Sequence, residues 1–450
     1  GWVIDNRSVG PPSGVVRAFN AISGEFAWAW DMGRPGVHTE PLRGEVYTRG
    51  TPNVWSMFSV DEELGLIYAP TGNETPDYFG GYRLEASDEF ASSVVAIDGE
   101  TGAVRWSFQT VHHDLWDYDV PSQPTLIDLP GPLVNGERGE KIPALLQATK
   151  RGEVFVLNRV TGEPIFDIQE LPVPQDGGVP EDYVSATQPF TMDLPVFRAQ
   201  ISEATMWGIT PLDQMWCRIQ FKKMRYEGHF TLPGVDTILH NPGATGGFNW
   251  GSISVDEVNN IMVVNPLFMA NQLTLIPRDE LPEGVIGSQL GTPYAHRSNR
   301  FLSPLHVRCQ QPPYGILAAV DLETRELLWQ RPIGTAKHTG PLNIPTRLPV
   351  TVGTPQTGGT VTTAGGLIFS AGAFDNTVRA TNIRDGKELW QLPLPYTAQG
   401  TPMSYLSPGG SQTLIVTVPV FNSTSGNGYI PLPAEEEDPL GGYVFAYRLK

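Results

Sequence analysis

The chain has 450 residues, of which 17% are charged, and it carries a formal net charge of −18 at pH 7. This acidic balance argues against an electrostatic nucleic-acid binder and disfavours binding to bare anionic phospholipid surfaces. No apolar run reaches the roughly 18 residues that a membrane-spanning helix needs, so the sequence predicts no such segment. The 48 glycines, 41 prolines and 11 tryptophans are typical of many short strands joined by tight turns.

A hairpin pattern recurs along the chain. In each copy a small or apolar residue is followed two positions later by Asp or Asn, and ten positions later by an aromatic residue. The copies run from Ala18 to Trp28, Ala96 to Trp106, Val156 to Phe166, Ala319 to Trp329 and Ala380 to Trp390. The Asp or Asn accepts hydrogen bonds from the turn backbone, and a Gly, absent only from the Ala319 copy, supplies a positive φ. Each copy therefore predicts a β-hairpin whose second strand carries a docking aromatic residue.

The spacing of these hairpins predicts an all-β fold of the β-propeller type. The aromatic residues of two neighbouring pairs of copies are 60 and 61 positions apart. A unit of about 60 residues that contains a four-stranded antiparallel sheet is a propeller blade. The chain length then allows about six blades, once loop insertions are taken into account.

Two polar loops follow predicted strands in the first third of the chain. Asn73 lies in the loop at 71–77, where an amide oxygen can bind a hard cation, although a turn residue is the more ordinary interpretation. The stretch at 111–119 contains three aspartates and two histidines. Such a cluster can hold a divalent cation or supply a general base, but aspartates that cap turns in a surface loop explain the composition equally well.

Three further side chains could contact a ligand. Lys150 follows a long apolar run, and a lysine at the end of a buried strand lies where anionic ligands meet a sheet, although a solvated lysine is the simpler interpretation. Trp55 and Trp250 lie near asparagines, and an indole face can stack on a planar ligand, whereas a core tryptophan is the default.

The cysteines and histidines show no metal-binding spacing. Cys217 and Cys309 are 92 positions apart, and the sequence leaves open whether they form a disulfide or remain buried thiols. A disulfide would contribute roughly 4–5 kcal/mol in the chain-entropy view. The histidines do not recur at helical i, i+4 spacing, so zinc is not indicated.

Four stretches resemble the membrane-bound quinoprotein dehydrogenases, the pyrroloquinoline quinone (PQQ) enzymes of the glucose, quinate and glycerol type. They lie at 111–117, 224–228, 250–256 and 398–403. The resemblance extends along the whole chain and implies an eight-bladed propeller with PQQ near its axis beside Ca²⁺ or Mg²⁺. It also implies that residues 1–450 form a partial propeller, without the N-terminal transmembrane region and the first blades. On that basis we expect the isolated chain to be weakly folded or inactive.

The resemblance assigns roles around the cation and the reacting carbon. It implies that Asp117 is the catalytic base and lies close to the cation, and that Asn73 is an amide ligand of that cation. Asp5 and Asn6 resemble, more loosely, an acidic pair near the metal.

The resemblance also assigns the cofactor contacts. Trp55 matches the tryptophan that stacks on the PQQ ring, and Lys150 matches the lysine that hydrogen-bonds the quinone oxygens. Asn249 and Trp250 match residues near the cofactor edge.

The implied activity is oxidation of a small polyhydroxy substrate, that is, a sugar, polyol or cyclic alcohol, with electrons passed to ubiquinone on the periplasmic side of the bacterial inner membrane. The glucose-type members carry a Gly-Gly-His-Gly stretch near the C-terminus, which the sequence at 418–428 lacks, so glucose itself is in doubt. The alternative is a non-catalytic propeller scaffold. Asp117, Asn73 and Lys150 would converge in the enzyme and would lie on separate faces in the scaffold.

Overall fold

A computed structural model of the chain describes residues 8–131, 133–134, 137–419 and 441–448. The chain divides into two compact units. The first comprises Gly1–Val196, Lys223–Gly246 and Ala270–Arg300, and the second comprises Phe197–Lys222, Gly247–Met269 and Phe301–Lys450.

The described residues form short strands with few helices. The strands are β1 (Val16–Phe19), β2 (Phe26–Trp30), β3 (Ser59–Asp61), β4 (Leu66–Pro70), β5 (Ser93–Asp98), β6 (Val104–Gln109), β7 (Thr125–Leu129), β8 (Leu133–Val134), β9 (Glu137–Arg138), β10 (Ile142–Ala148), β11 (Val154–Asn158), β12 (Ile168–Pro172), β13 (Thr187–Thr191), β14 (Ile238–His240), β15 (Ile253–Asp256), β16 (Ile261–Val264), β17 (Asn271–Pro277), β18 (Tyr294–Arg300), β19 (Ile316–Asp321), β20 (Leu327–Pro332), β21 (Thr360–Thr362), β22 (Leu367–Ser370), β23 (Thr377–Asn382), β24 (Glu388–Pro393), β25 (Met403–Leu406), β26 (Gln412–Pro419) and β27 (Gly442–Arg448).

The helices are α1 (Glu85–Asp88) and α2 (Pro211–Lys223), and four single 3₁₀ turns lie at Glu203–Thr205, Arg278–Glu280, Ala336–His338 and Pro341–Asn343. In the described part of the chain no helix is both long and apolar enough to cross a membrane.

The sheets are antiparallel meanders, as expected for blades. In the first unit β3-β4-β5-β6 form a four-stranded sheet, and β11-β10-β7 and β14-β17-β18 form three-stranded sheets. In the second unit β15-β16-β19-β20 and β21-β22-β23-β24 are four-stranded, and β25-β26-β27 is three-stranded. The prediction of an all-β fold is confirmed, while the number of blades stays a prediction.

The four tryptophan hairpins form with one common register. The small residue and the tryptophan ten positions later are cross-strand partners, and the register shifts directly after the small residue. These pairs are Ala18 with Trp28, Ala96 with Trp106, Ala319 with Trp329 and Ala380 with Trp390. The ten-residue offset in the sequence is therefore the spacing that one bulged hairpin imposes.

Three of these tryptophans dock on the turn of another copy of the repeat. Trp28 Nε1 donates to Gly99 O at 2.9 Å and Trp329 Nε1 donates to Ile383 O at 2.7 Å. Trp106 donates in the same way to the turn of the Val156 copy.

The turn glycine lies beneath the docked indole. Gly102 has a φ of 75°, and a Cβ added to it would lie 2.6 Å from the Trp28 ring. The glycine is therefore required by the approaching indole as well as by the backbone conformation. The Ala319 copy has Arg325 at this position, with a φ of 66°.

The core of the first unit holds the strands that lead into the polar loops. Leu66 and Tyr68 on β4, Val94 and Ala96 on β5, and Leu145 on β10 are buried in one cluster. Each of the leucine and valine side chains in this cluster contributes about 1.5–3 kcal/mol on full burial. This packing fixes the ends of β4 and β10, from which the chain continues into the loops that contain Asn73 and Lys150.

Cys217 and Cys309 form a disulfide within the second unit, with a Cα–Cα distance of 5.2 Å. Cys217 is one of two buried residues of α2, a helix that the sequence did not indicate. The disulfide therefore attaches a mostly exposed helix to the body of its unit.

Substitution of Gly102 by Ala should lower the free energy of unfolding by roughly 1–3 kcal/mol, because the added methyl group overlaps the Trp28 indole. Gly24 is the matched control, since it has a similar φ of 72° but nothing within 4 Å of its added Cβ. Urea denaturation of both variants separates the two costs. Equal losses would show that backbone conformation alone demands glycine.

Candidate active site

Three loops of the first unit bring polar side chains together. Asn73 follows β4, the segment at 110–120 follows β6, and Lys150 follows β10. The predicted convergence of Asn73, Asp117 and Lys150 is observed. Lys150 contacts Asp117 and also Asp119, and Asp119 in turn accepts a hydrogen bond from the backbone N–H of Asn73.

Lys150 lies between two carboxylates. Its Nζ is 2.7 Å from Asp117 Oδ1 and 3.3 Å from Asp119 Oδ2. Lys150 is only 5% exposed, so these charges interact with little screening by water. One ammonium opposite two carboxylates leaves a surplus of negative charge in the site.

The burial of Asp117 suits it to accept a proton. Burial raises the pKa of Asp117 well above its usual range, the Lys150 ammonium opposes this shift, and the Asp119 charge adds to it. Burial alone would lower the pKa of Lys150, but the charges of Asp117 and Asp119 outweigh it and raise that pKa. A carboxylate with a raised pKa is a better general base near neutral pH.

The backbone at Asp117 is left-handed, with a φ of 59°. Aspartate and asparagine tolerate this conformation better than other non-glycine residues do. A left-handed residue inside a packed loop is typical of functional sites, where the surrounding contacts compensate for the local strain.

Asp119 organises the site, although it was not among the predicted site residues. Its Oδ2 accepts a hydrogen bond from Trp55 Nε1 at 2.8 Å, and its Oδ1 accepts one from the backbone N–H of Asn73 at 2.6 Å. Together with the Lys150 contact, these bonds tie the candidate ring-stacking, cation-binding and cationic residues to a single carboxylate. The available signal was the Asp-Tyr-Asp sequence at 117–119, which places a second carboxylate two positions after Asp117.

Trp55 lies beside the ion pair. Lys150 Nζ is 5.9 Å from the centre of the Trp55 ring, within the range of a cation–π interaction. The indole edge also packs close to Gly72, where an added Cβ would lie 3.3 Å from it. The predicted stacking residue thus borders the candidate site.

Asn73 is fixed with its side-chain oxygen unpaired. Its Nδ2 donates to Asp77 O at 3.1 Å and to Asp114 O at 3.0 Å, which settles the orientation of the amide. Its Oδ1 is buried and has no hydrogen-bond partner among the described residues. A buried amide oxygen without a donor is suited to a hard cation.

The described residues contain no group of three or more His, Cys, Asp or Glu side chains arranged to hold a metal ion. A cation at this site would therefore rely on the amide oxygen of Asn73 together with Asp117. Asp5, the other predicted metal residue, and Asn6 lie outside the described residues.

Asp114 caps the loop that carries the other two aspartates. Its carboxylate accepts hydrogen bonds from the backbone N–H groups of Trp116 and Tyr118 and from Ser92 Oγ, at 2.6–2.8 Å. The turn-capping interpretation of the 111–119 stretch therefore applies to Asp114, and the functional one stays a prediction. Asp114 shapes the turn, whereas Asp117 and Asp119 face Lys150.

His113 bridges two further carboxylates behind the loop. Its ring nitrogens lie 2.8 Å from Asp88 Oδ2 and 2.9 Å from Asp182 Oδ1, and its ring stacks on Tyr183 at 3.7 Å. Burial lowers the pKa of His113, but the hydrogen bonds to Asp182 and Asp88 outweigh it and raise that pKa. Burial alone would raise the pKa of Asp88. The hydrogen bond with His113 and the charge of Arg83 outweigh burial and lower that pKa.

Asn249 and Trp250 belong to the second unit. Asn249 Oδ1 accepts from the Trp250 backbone N–H at 2.9 Å, and Trp250 Nε1 donates to Gln399 O at 3.1 Å. Trp250 is 42% exposed. Their predicted place at the cofactor edge stays a prediction.

The His113 bridge should stabilise the fold most at mildly acidic pH. Its contribution is complete below the unfolded histidine pKa of about 6.5 and is lost as pH rises through the raised pKa of the folded state. The Asp88 contribution is present above about pH 4 and is lost as pH falls further. We expect His113→Gln to lower the free energy of unfolding more at about pH 5.5 than at about pH 9 in urea titrations. Equal losses at both pH values would mean that the ring acts through packing alone.

Residues 1–414 match the family described as PQQ, glucose/ethanol/alcohol dehydrogenase, β-propeller domain. The chain is 42% identical over 436 residues to the glycerol dehydrogenase large subunit of Gluconobacter oxydans strain 621H. That alignment covers 92% of this chain and 58% of that protein. It is 39% identical over 462 residues both to the quinate/shikimate dehydrogenase (quinone) of Acinetobacter baylyi and to the quinoprotein glucose dehydrogenase of Escherichia coli K12. Those alignments cover 100% of this chain and 55% and 56% of the two relatives. The chain thus spans little more than half the length of these relatives.

Solved structures with the same fold include two dehydrogenases. The quinohemoprotein alcohol dehydrogenase of Comamonas testosteroni has a TM-score of 0.58 at 20% identity, covering 91% of this chain and 53% of that one. A europium-containing methanol dehydrogenase has a TM-score of 0.56 at 21% identity, covering 90% and 61%. At these identities the likeness shows the propeller fold.

Proposed function

Since the chain belongs to the PQQ-binding glucose, ethanol and alcohol dehydrogenase family of β-propellers, we propose that it forms part of a quinoprotein dehydrogenase that oxidises a CH–OH group to a carbonyl. The observation that carries the proposal is the buried contact of Lys150 with Asp117 and Asp119, next to the Trp55 indole. A scaffold protein gains nothing from a buried surplus of carboxylate charge, whose desolvation is costly.

Asp117 is the proposed base. Its carboxylate takes the proton from the substrate hydroxyl while the hydrogen on the same carbon leaves as hydride, which completes a two-electron oxidation. PQQ, when bound, supplies the acceptor for that hydride. The raised pKa of Asp117 matches this task, and general-base help of this kind is worth about 10²–10⁴-fold in rate.

The residues around Asp117 fit a planar, oxygen-rich cofactor. The Trp55 indole provides a flat apolar face. The Lys150 ammonium, an N–H donor with a fixed positive charge, would stabilise negative charge on the quinone oxygens. Trp55 and Lys150 are therefore the proposed cofactor-binding residues of the first unit, and Asn249 and Trp250 are those of the second.

Asn73 and Asp117 are the proposed ligands of a divalent cation, either Ca²⁺ or Mg²⁺. The unpaired, buried Asn73 Oδ1 supports this proposal, and both ions prefer oxygen ligands. The cation would act as a Lewis acid toward the quinone carbonyl. Asp5 remains a proposed additional ligand.

Polyhydroxy compounds are the proposed substrates, because the named relatives act on glycerol, quinate or shikimate, and glucose. Ubiquinone is the proposed electron acceptor, since one relative is named for a quinone acceptor. The periplasmic side of the bacterial inner membrane is the proposed location, reached through an N-terminal membrane region. The disulfide between Cys217 and Cys309 fits an oxidising compartment.

Substitution of Asp117 by Asn should lower dye-linked turnover of the full-length protein by about 10²–10⁴-fold while PQQ binding persists. Asparagine suits the left-handed backbone at this position and removes the proton-accepting charge. Turnover would be assayed with PQQ and Ca²⁺ or Mg²⁺ on glycerol, quinate and glucose.

Asp128→Asn is the matched control, because it makes the same chemical change at a half-exposed aspartate that pairs with Arg159. That variant should keep wild-type turnover. Unchanged turnover in Asp117→Asn would remove the proposed base, and a wild-type protein that oxidises none of these substrates with PQQ and cation would contradict the proposed function.

A further inference from the structure

His240, the last residue of β14, is fully buried without satisfying its polar atoms. The residue is 1% exposed, and neither ring nitrogen forms a hydrogen bond with any described residue. The Trp116 backbone acts on the ring as a hydrogen-bonding partner and raises the pKa of His240, by less than burial and the Lys150 charge lower it. It does not reach hydrogen-bond geometry with either ring nitrogen. A buried polar group left in this state destabilises the fold, so it requires an explanation.

The ring lies against the candidate active site. Its centre is 6.2 Å from that of Tyr78 and 5.5 Å from that of Tyr118. Burial raises the pKa of the Tyr78 hydroxyl, and the charge of Asp117 adds most to that shift among the neighbouring aspartates. His240 therefore packs against two tyrosines, one of which senses the charge of the proposed base and the other of which follows it directly in the sequence.

The segment that follows His240 packs on the active-site lysine. Gly246 lies so close to Lys150 that an added Cβ would be 2.6 Å from its Cα, Cβ and Cγ atoms. Burial and the charge of Lys150 lower the pKa of His240 to about 3. The imidazole is therefore neutral at physiological pH, with one N–H donor and one acceptor nitrogen.

His296 provides an internal comparison. It packs against Tyr78 at 4.8 Å, and its Nδ1 lies 2.8 Å from Ser288 Oγ. The two histidines thus share an aromatic neighbour, but the structure itself provides His296 with a side-chain partner. Packing against Tyr78 does not account for the unmet hydrogen-bonding capacity of His240.

We propose that His240 is a cofactor-binding residue whose imidazole N–H donates a hydrogen bond to an oxygen of the bound quinone cofactor, beside Lys150. This inference rests on the proposed function and adds to it a residue of the binding site. A neutral donor complements the Lys150 ammonium, because it contacts an oxygen without adding charge to a site that already contains three charged groups.

The test compares three variants of the full-length protein in PQQ titrations followed by tryptophan fluorescence. His240→Phe keeps an aromatic ring between the tyrosines and removes both nitrogens, and His240→Gln keeps a donor. His296→Phe is the matched control. Thermal unfolding without cofactor is measured in parallel, which gives a readout independent of turnover.

We expect His240→Phe to bind PQQ about tenfold more weakly, which is the effect of one lost hydrogen bond. The same variant should unfold at the same or a higher temperature than wild type, because the unsatisfied ring nitrogens have been removed. His240→Gln should stay within about threefold of wild-type affinity. His296→Phe should unfold at a lower temperature, since it loses the Ser288 bond, and should bind PQQ normally.

Wild-type PQQ affinity in His240→Phe would overturn the inference and leave the proposed function intact. So would a raised KM for substrate with unchanged PQQ affinity, which would assign the ring to the substrate. A loss of apo stability in His240→Phe equal to that in His296→Phe would show a structural role. Failure of the wild-type protein to bind PQQ would instead refute the proposed function, and this inference with it.

Discussion

The buried ammonium of Lys150 between Asp117 and Asp119 is the interaction on which the candidate site depends. It joins the loop after β10 to the loop after β6, and Asp119 extends the connection to Trp55 and to the backbone of Asn73. Breaking a buried charge pair by removing one partner typically costs about 3–5 kcal/mol, because the remaining charge is left without compensation. The same contact opposes the rise in the pKa of Asp117 that burial causes, so the order of the site and the protonation of the proposed base are coupled.

Much of this arrangement could be predicted from local patterns. The hairpin repeat encodes its own register, since a bulged hairpin fixes the offset between Ala96 and Trp106 and its equivalents. Asn73 and Lys150 stood out because each polar residue follows an apolar run. The resemblance to a known family, rather than the residue pattern, singled out Asp117 from its neighbouring aspartates.

Other features depended on packing that a linear pattern does not contain. The role of Asp119 follows from which way its side chain points, and the roles of Asp114 and Asp119 differ although both are buried aspartates in one loop. His240 stands alone in the sequence, and only its surroundings reveal that its nitrogens lack partners. Helix α2 was missed because its apolar residues do not follow a helical period facing the body of the unit, and its buried attachment is largely a disulfide.

The indole of Trp28 rests on the turn of the Ala96 copy, and the indole of Trp329 rests on the turn of the Ala380 copy. This gives the repeats a polarity, since each of these two hairpins packs its tryptophan on a turn that lies later in the sequence. A substitution that disrupts one of these turns should therefore also destabilise the earlier hairpin, because its indole loses the carbonyl to which it donates. During synthesis on the ribosome, a hairpin of this kind would consequently reach its final packing only after the next supporting turn has emerged.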